Sequence, residues 1–342
     1  MKLRFWVIGF IILWGLNLNA YWEAYNIYRC GGKGLATGGA FTSIANDVSA
    51  IYWNPAGLIF TEKITAFYTF DAQLKIPHLL APSLKVTFKT PALIGIVFPI
   101  KKPNISTLGF AVFTPFQRKT KDEYAMYFFS ATGAYRVHPR VSVGANIGVA
   151  YTTYKGDFNY GGIGFRWQIG LLYFISSRVR AGLNYQFKTT VKWRGVYYGI
   201  WQRKETFPDI LQTGVAIKIK KNIITSIEME YQNWNSVEYI ENYQNYSPSI
   251  ETGLFKTIHP HIGFLISEYG SGALIRTGLY TDSYVTDEGK NKTQLVWTIG
   301  LNGYAFEIIR VEAAIADAYL MSFLNSSNEK IETIQITVEY QF

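Results

Sequence analysis

The sequence predicts an all-β protein, a transmembrane antiparallel β-barrel of about 14 strands with an N-terminal hatch in the lumen. Three observations support this prediction. The chain begins with an export signal, alternating apolar and polar ribbons fill most of its length, and the last ribbon ends in an aromatic residue. Because successive side chains of a strand point to opposite faces, each ribbon can present one face to lipid and the other to the lumen.

The composition favours a membrane barrel over a soluble domain. Hydrophobic residues make up 49% of the chain and charged residues 17%, whereas charged residues are about 25% of an ordinary soluble domain. The 25 Tyr, 23 Phe and 9 Trp suit aromatic girdles at two membrane interfaces. The formal net charge is +9, but no dense Lys/Arg tract is present, so no nucleic-acid partner is expected.

Residues 1–20 have the pattern of a cleaved signal peptide. Lys2 and Arg4 precede an apolar run over residues 5–16, and Ala20 stands at a plausible cleavage point. The run is shorter than the roughly 20 residues of a membrane-spanning helix. An uncleaved anchor is the alternative interpretation.

Residues 21–62 do not alternate, and we expect them to form the hatch. Gly38, Gly39 and the glycines before them disfavour a long helix and permit tight turns. Asn54-Pro55-Ala56-Gly57 is a turn signature, since proline fixes φ and glycine can adopt positive φ. A phosphate-binding glycine loop is the alternative, but no strand precedes these glycines and no Lys-Ser/Thr pair follows them. The barrel lumen is therefore the expected place for this segment.

Residues 63–342 are expected to form the barrel wall. Over residues 141–151 apolar side chains alternate with small or polar ones, as expected where a plug crowds the wall. Tight turns are predicted at 138–140, 176–177 and 220–222. Longer polar connections are predicted at 116–123, 190–207, 235–256, 282–292 and 320–330. A β-propeller or a sandwich is the competing architecture, but no repeat motif is found. The predicted strands are 63–76, 91–100, 106–116, 124–137, 140–154, 162–175, 178–189, 208–219, 222–234, 257–267, 272–281, 293–303, 305–316 and 331–342, with 81–90 either an extra strand or a loop ribbon.

One apolar ribbon ends at a proline. Thr114-Pro115 follows the apolar residues 108–113. Proline has no N–H to donate to a β-ladder, and unpaired backbone in lipid is costly. Two interpretations remain open: the strand ends at a water-facing rim, or a kink in the strand over 106–116 opens the wall toward the lumen.

The C-terminal ribbon, residues 331–342, has one apolar and one strongly polar face. We expect Phe342 to be recognised by the barrel-assembly machinery. The alternation predicts that Ile147, Val149, Leu183, Tyr185, Ile336, Val338 and Tyr340 face lipid, and that Asn146, Asn184, Glu339 and Gln341 face the lumen.

No catalytic residue, cofactor or metal site is predicted. His259 and His261 share one face of a strand, but no third metal ligand is evident, and we interpret them as lumenal or girdle residues. Glu228 and Glu230 share a polar face with lysines of the preceding ribbon, which predicts ion pairs across the strands. Cys30 is the only cysteine, so no intramolecular disulfide can form, and it is interpreted as a bystander thiol.

Several motifs, in this order, resemble the FadL/TodX family of outer-membrane channels for hydrophobic compounds. The stretch ATGGAFTSIANDVSAIYWNPAGL (36–58) looks like the hatch of that family and includes its Asn-Pro-Ala motif. The likeness continues through 108–116, 130–151, 207–234 and the terminal aromatic strand, and it covers most of the chain that follows the signal.

The resemblance implies a hatch-plugged barrel in the bacterial outer membrane that takes up long-chain fatty acids or other apolar solutes, without a cofactor. In that family the solute leaves a lumenal pocket sideways, through a gap in the wall. The implied partners are outer-membrane lipid and a hydrophobic small molecule, and we expect a monomer. The chain is shorter than a typical fatty-acid transporter, mainly in its external loops. Its hatch pattern also occurs in PorV-like barrels, so a role in protein secretion or surface assembly is the alternative.

Overall fold

A computed structural model describes most of the chain. The described residues are 26–27, 29–75, 85–100, 106–119, 123–155, 159–194, 202–233, 238–242, 249–251, 256–267, 274–285, 291–305, 308–317 and 331–342. The predicted signal peptide lies outside these ranges, as do the first residues of the predicted hatch. Among the described residues, no helix combines the length and the apolar character needed to cross a membrane.

The wall is a closed antiparallel barrel of 14 strands, as predicted. Its last strand pairs with its first, from Gln341–Thr65 to Ile331–Lys75, which closes the sheet. The strand segments are β1 (Asn26–Ile27), β2 (Thr65–Lys75), β3 (Lys85–Ile100), β4 (Ser106–Lys119), β5 (Glu123–His138), β6 (Val141–Lys155), β7 (Asn159–Phe174), β8 (Val179–Gln186), β9 (Thr189–Arg194), β10 (Gln202–Phe207), β11 (Asp209–Lys220), β12 (Ile223–Asn233), β13 (Glu238–Asn242), β14 (Ser249–Glu251), β15 (Lys256–Ser267), β16 (Leu274–Val285), β17 (Asn291–Ala305), β18 (Ile309–Asp317) and β19 (Ile331–Gln341). The pairs β8/β9, β10/β11, β12/β13 and β14/β15 each contribute one interrupted wall strand.

The predicted alternation determines which face of the wall is covered. On β7, Phe165 and Trp167 are 57% and 48% exposed, whereas Arg166 and Gln168 are 1% and 2% exposed. The predicted outward residues Ile147, Val149, Leu183, Ile336 and Tyr340 are exposed, and the predicted inward residues Asn146, Asn184 and Glu339 are buried. The outer face is therefore an apolar band of the kind that lipid covers.

The two ends of the barrel differ in their connections. Tight turns at 139–140, 175–178 and 221–222 define what we call the short-turn end, and the predicted turns there are confirmed. At the opposite, long-loop end the strands run further than predicted, because β4 continues to Lys119 and β16 to Val285. Residues 85–90 belong to β3 and are not part of a separate strand.

Residues 29–60 pack inside the wall, and we call this segment the hatch. It contains helix α1 (Gly32–Ala36), helix α2 (Ala50–Trp53) and a 3₁₀-helix (Pro55–Phe60). Every residue from 29 to 59 is buried except Asn46. The core of the molecule forms where apolar hatch residues such as Phe41, Ile51 and Trp53 meet inward-facing wall residues, so it lies in the lumen.

Because outward-facing wall residues contact lipid, a charge introduced there should destabilise the barrel more at the middle of a strand than near its end. Ile147 lies at the middle of β6 and Ile219 near the short-turn end of β11, and both face outward. Ile147→Arg should lower the free energy of unfolding by about 2–4 kcal/mol, and Ile219→Arg by no more than about 1 kcal/mol. Urea unfolding in phospholipid vesicles measures both values. Equal losses would contradict a lipid-facing band centred on Ile147.

Candidate functional site

Glycines on the inner wall mark where the hatch backbone touches the barrel. A Cβ at Gly144 would lie 2.4 Å from the backbone nitrogen of Ala56, and a Cβ at Gly170 would lie 2.0 Å from Oδ1 of Asn54. The wall therefore lacks side chains where the hatch approaches most closely. Equivalent close approaches occur at Gly182, Gly263, Gly278 and Gly300, so the contact continues around the lumen.

The Asn54-Pro55-Ala56-Gly57 motif forms the turn that begins the 3₁₀-helix. Asn54 caps it, because its Oδ1 accepts a hydrogen bond from the backbone N–H of Ala56 at 3.2 Å. The Nδ2 of Asn54 donates to Thr42 O at 2.8 Å and to Leu171 O at 3.1 Å. Gly57 packs so tightly that a Cβ would lie 1.9 Å from the carbonyl oxygen of Ala45. One side chain thus joins two parts of the hatch to the wall.

The other predicted hatch glycines make a second close contact with the wall. Gly38 and Gly39 have φ of 63° and 69°, a conformation that glycine adopts without strain. A Cβ at Gly38 would lie 2.7 Å from the backbone nitrogen of Leu279. The carbonyl oxygen of Gly38 lies 2.7 Å from Nδ1 of His261, which therefore donates the hydrogen bond. These two positions admit no side chain.

Inward-facing polar side chains satisfy the hatch backbone. Short irregular elements leave carbonyl and amide groups that need partners inside a barrel. Several wall side chains donate to hatch carbonyl groups: Asn146 donates to Ile51 O at 2.9 Å, Gln168 to Tyr52 O at 2.7 Å, Ser142 to Ala56 O at 3.1 Å, Thr298 to Ala36 O at 2.9 Å and Gln335 to Arg29 O at 2.7 Å. The polar faces of the wall strands are thus the binding surface of the hatch.

The acidic residues of β12 bind the hatch and not the lysines of β11, so the predicted ion pairs are wrong. Glu228 accepts hydrogen bonds from the backbone N–H and the hydroxyl of Thr42 at 2.7 and 2.8 Å. Glu230 forms an ion pair with Arg29 at 3.1 Å. The register explains the error, because Lys218 lies opposite Ile224 and is exposed near the short-turn end.

A second ionic cluster joins the hatch to β16, β18 and β19. Carboxylate oxygens of Asp47, Glu312 and Glu339 lie within 4.8 Å of one another, a spacing that a metal ion can use. Arg276 and Arg310 form ion pairs with the Glu312 carboxylate. The Nζ atom of Lys33 lies 3.9 Å from a carboxylate oxygen of Asp47. Burial lowers the pKa of Lys33 to about 8. Because basic groups surround the carboxylates, we interpret the cluster as an ion network and propose no metal there.

His259 and His261 lie buried in the lumen on β15.

The opposite side of the lumen is aromatic and includes the buried Arg166. Arg166 lies 5.2 Å from the ring centre of Phe116 and 6.0 Å from that of Phe128. Its guanidinium donates to Thr189 at 3.2 Å and to Gln186. Within the described residues no carboxylate forms an ion pair with it. Arg166 is therefore a buried cation whose described partners are neutral groups and aromatic rings.

Strand β4 has a β-bulge at Thr114 and Pro115. Relative to β5 its register shifts between Phe113 and Phe116, so the strand carries an extra residue. The alternation also breaks here, because residues 113–116 are all buried. Burial raises the pKa of the Cys30 thiol, so the thiol stays protonated. Its sulfur lies 3.7 Å from the carbonyl oxygen of Thr114 and donates a hydrogen bond to it. The strand continues to Lys119, so the interpretation of Pro115 as a strand end is wrong.

The backbone pairing between β3 and β4 ends at the level of this bulge. Over the described residues, their backbone pairs run from Ile100–Ser106 to Leu93–Phe113 and go no further. Pro91 lies in β3 just beyond the last pair, and Pro115 lies just beyond it in β4. Beyond this point β4 pairs with β1 from the hatch side, through Ile27–Phe116. Pro91 was not predicted to mark the end of the β3–β4 pairing, although a proline within a predicted strand can indicate such an interruption.

A polar cavity of about 260 Å³ lies between the hatch and the wall at the short-turn end. Its lining includes Asp47, Lys63, Arg310, Glu339 and Gln341. Charged groups make this end of the lumen unfavourable for an apolar molecule.

Comparisons with known proteins support the fold. No protein-family model and no curated protein matches the sequence. The CymD monoaromatic hydrocarbon channel is similar in structure, with a TM-score of 0.71 at 14% identity over 93% of this chain and 99% of that one. A Pseudomonas aeruginosa FadL homologue has a TM-score of 0.70 at 11% identity over 94% and 100%. The Ralstonia pickettii toluene transporter TbuX has a TM-score of 0.68 at 13% identity over 92% and 99%. The fold implied by the FadL/TodX resemblance is confirmed.

The close approach at Gly170 predicts a large effect from one methyl group. Gly170→Ala should lower the free energy of unfolding by about 1–3 kcal/mol, because the Cβ would displace Asn54 or the wall. Gly303→Ala is the matched control, since a Cβ there meets no atom within 4 Å, and it should change stability by less than about 0.5 kcal/mol. Urea unfolding of both variants measures the difference. Equal stability of the two variants would show that the hatch is not held at Gly170.

Proposed function

We propose that this protein is a passive channel that carries long-chain fatty acids or similar hydrophobic molecules across the bacterial outer membrane. The aromatic side of the lumen, with Arg166 inside it, is the observation that carries the proposal. The three solved structures compared above are described as a monoaromatic hydrocarbon channel, a FadL homologue and a toluene transporter, which supports a hydrophobic solute. The mechanism needs no catalysis and no cofactor, because partition into an apolar pocket and release into lipid are both downhill.

Arg166 favours an amphipathic acid over a neutral hydrocarbon. A guanidinium without an acidic partner is costly to bury, and a carboxylate that reaches it through the lumen makes charge-assisted hydrogen bonds. Phe116 and Phe128 next to it give the alkyl chain an apolar surface. In this proposal the carboxylate binds Arg166 and the tail lies along the aromatic side chains of β4 and β5.

The route of release is proposed to be lateral, through the β3–β4 seam. The β-bulge at Thr114 and Pro115 favours this route, as does the end of the β3–β4 pairing at Leu93 and Phe113 among the described residues. The opposite route, straight through the short-turn end, leads an apolar tail past Asp47 and other charged groups. Lateral release delivers the solute directly to lipid, where an apolar molecule is most stable.

The protein is proposed to act as a monomer in outer-membrane lipid, with the terminal strand and Phe342 recognised during assembly. The PorV-like alternative, a barrel for secretion or surface assembly, is favoured by the densely ion-paired side of the lumen around Glu230, Arg276 and Glu312. Uptake measurements separate the two, since a secretion barrel needs no solute specificity.

Removing the cation of Arg166 tests the substrate class. Arg166→Met removes the charge and the hydrogen-bond donors, keeps a shorter unbranched apolar side chain, and should weaken binding of oleate about 10–100-fold, as expected for hydrogen bonds to a charged group. Binding of toluene should change little. Isothermal titration of both ligands measures this. Lys188→Met, at an exposed position, is the control, and heat-modifiable mobility on gels verifies that each variant is folded. An equal loss for oleate and toluene would argue against carboxylate recognition.

Removing the extra residue of β4 tests the exit. Deletion of Pro115 restores one-to-one pairing with β5 and should abolish uptake of labelled oleate in cells that lack other transporters. Pro115→Ala keeps the extra residue and should retain uptake. Surface labelling verifies that both variants are inserted. Full uptake by the deletion variant would place the exit elsewhere.

A further inference from the structure

The outer wall carries an apolar groove that transport through the lumen does not use. It has a volume of about 630 Å³ and lies on the lipid-facing side of β3 to β8, within a few residues of the short-turn end. A volume of this size is in the range of about 300–1,000 Å³ that small-molecule sites occupy. The groove is separate from the β3–β4 seam, because Leu108 in its lining pairs regularly with Phe98 on β3 and with Gly133 on β5.

Small residues in adjacent strands create the groove. Gly133 on β5 lies directly opposite Ala145 on β6, and both positions face outward. The same row continues to Leu108 on one side and to Ile169 on the other, and these side chains are 47% and 44% exposed. Two large side chains therefore stand on either side of two small ones. The result is a trough whose floor is close to the backbone, directly outside the wall that the hatch turn touches at Gly144.

The end of the groove meets a basic rim. His138 and Arg140 on the β5–β6 turn and Arg178 on the β7–β8 turn are exposed. The sequence of the β3–β4 connection, residues 101–105, contains no Asp or Glu. Residues 98–108, 133–145 and 169–183, which contain these three connections and the strand ends beside them, include no Asp or Glu. The groove thus joins an apolar trough to a rim of one charge sign.

We propose that this groove binds an anionic phospholipid of the inner leaflet, with one acyl chain in the trough and the phosphate at the basic rim. An apolar chain fits the trough floor at Gly133 and Ala145. Exposed Tyr135 and Tyr173 lie between the trough and the turns, at the level where aromatic residues contact headgroups. Clusters of basic residues beside a membrane-spanning surface attract anionic lipid headgroups.

A second copy of the chain is the competing occupant, and the charge argues against it. A two-fold contact through this groove places the same surface of both copies together. In a membrane both copies have their short-turn ends on the same side, so the two basic rims around Arg140 and Arg178 would meet and repel.

Photolabelling of the full chain tests the proposal. The purified protein in detergent–lipid micelles is irradiated with phosphatidylglycerol that carries a diazirine in one acyl chain, and the labelled peptides are mapped. We expect labels on residues 133–145 and 169–183, with competition by unlabelled phosphatidylglycerol stronger than by phosphatidylethanolamine. Ala145→Phe fills the trough and should remove these labels, whereas Val149→Phe, on the same outward face of β6 but outside the groove, should keep them.

The charge of the rim is tested separately. Arg140→Gln with Arg178→Gln should weaken competition by phosphatidylglycerol about 25-fold, at about fivefold for each basic residue lost. Lys220→Gln with Lys221→Gln, which removes two exposed charges on the β11–β12 turn outside the groove lining, should weaken competition less than about fivefold. Labels spread evenly around the wall, or labelling that survives Ala145→Phe, would overturn the proposal. A cross-linked dimer that Ala145→Phe abolishes would overturn it in favour of a second copy.

Discussion

The structure depends on satisfying the backbone of an irregular segment inside a closed barrel. A hatch of short helices and turns carries many amide and carbonyl groups without partners of their own, and burying such a group without a hydrogen bond costs about 1–3 kcal/mol. The wall meets this requirement with two kinds of residue. Inward-facing Asn146, Gln168 and Gln335 provide hydrogen bonds, and glycines such as Gly170 allow the hatch backbone to come close enough.

The same requirement explains why the lumen has two different sides. Glu228 and Glu230 on one side bind hatch groups, and their charges are balanced by Arg29 and by hydrogen bonds from Thr42. On the other side the hatch presents Tyr52 to Phe113, with ring centres 5.6 Å apart, and the wall becomes aromatic. The bulge in β4 lies on this aromatic side. The apolar surface and the end of the β3–β4 pairing are thus close together, and the proposed lateral release depends on that arrangement.

Much of the fold could be predicted from the sequence because period-two alternation is a local signal. The C-terminal strand and the ribbon over 141–151 show it without any knowledge of their neighbours. The turn at Asn54-Pro55 could also be predicted, since its residue types suit a turn wherever they occur. The partners of Glu228 could not, because they depend on strand register and on a segment more than 180 residues away. Arg166 looks like any lumenal arginine in the sequence, and only the three-dimensional arrangement surrounds it with Phe116 and Phe128. The continuation of β4 beyond Pro115 could not be predicted for a related reason. It depends on pairing with β5, which supports β4 on one side where β3 no longer pairs with it on the other.

The most direct measurement is to map where the solute meets the wall. A fatty acid with a diazirine at the end of its tail is supplied to cells that contain the protein, irradiated during uptake, and located on the chain by peptide mapping. The proposed lateral route predicts labels on β3 and β4 around Leu93, Phe113 and Phe116. Labels on Asn46, Thr61 or Gln341, which line the polar cavity at the short-turn end, would contradict it and show that the solute passes straight through the barrel.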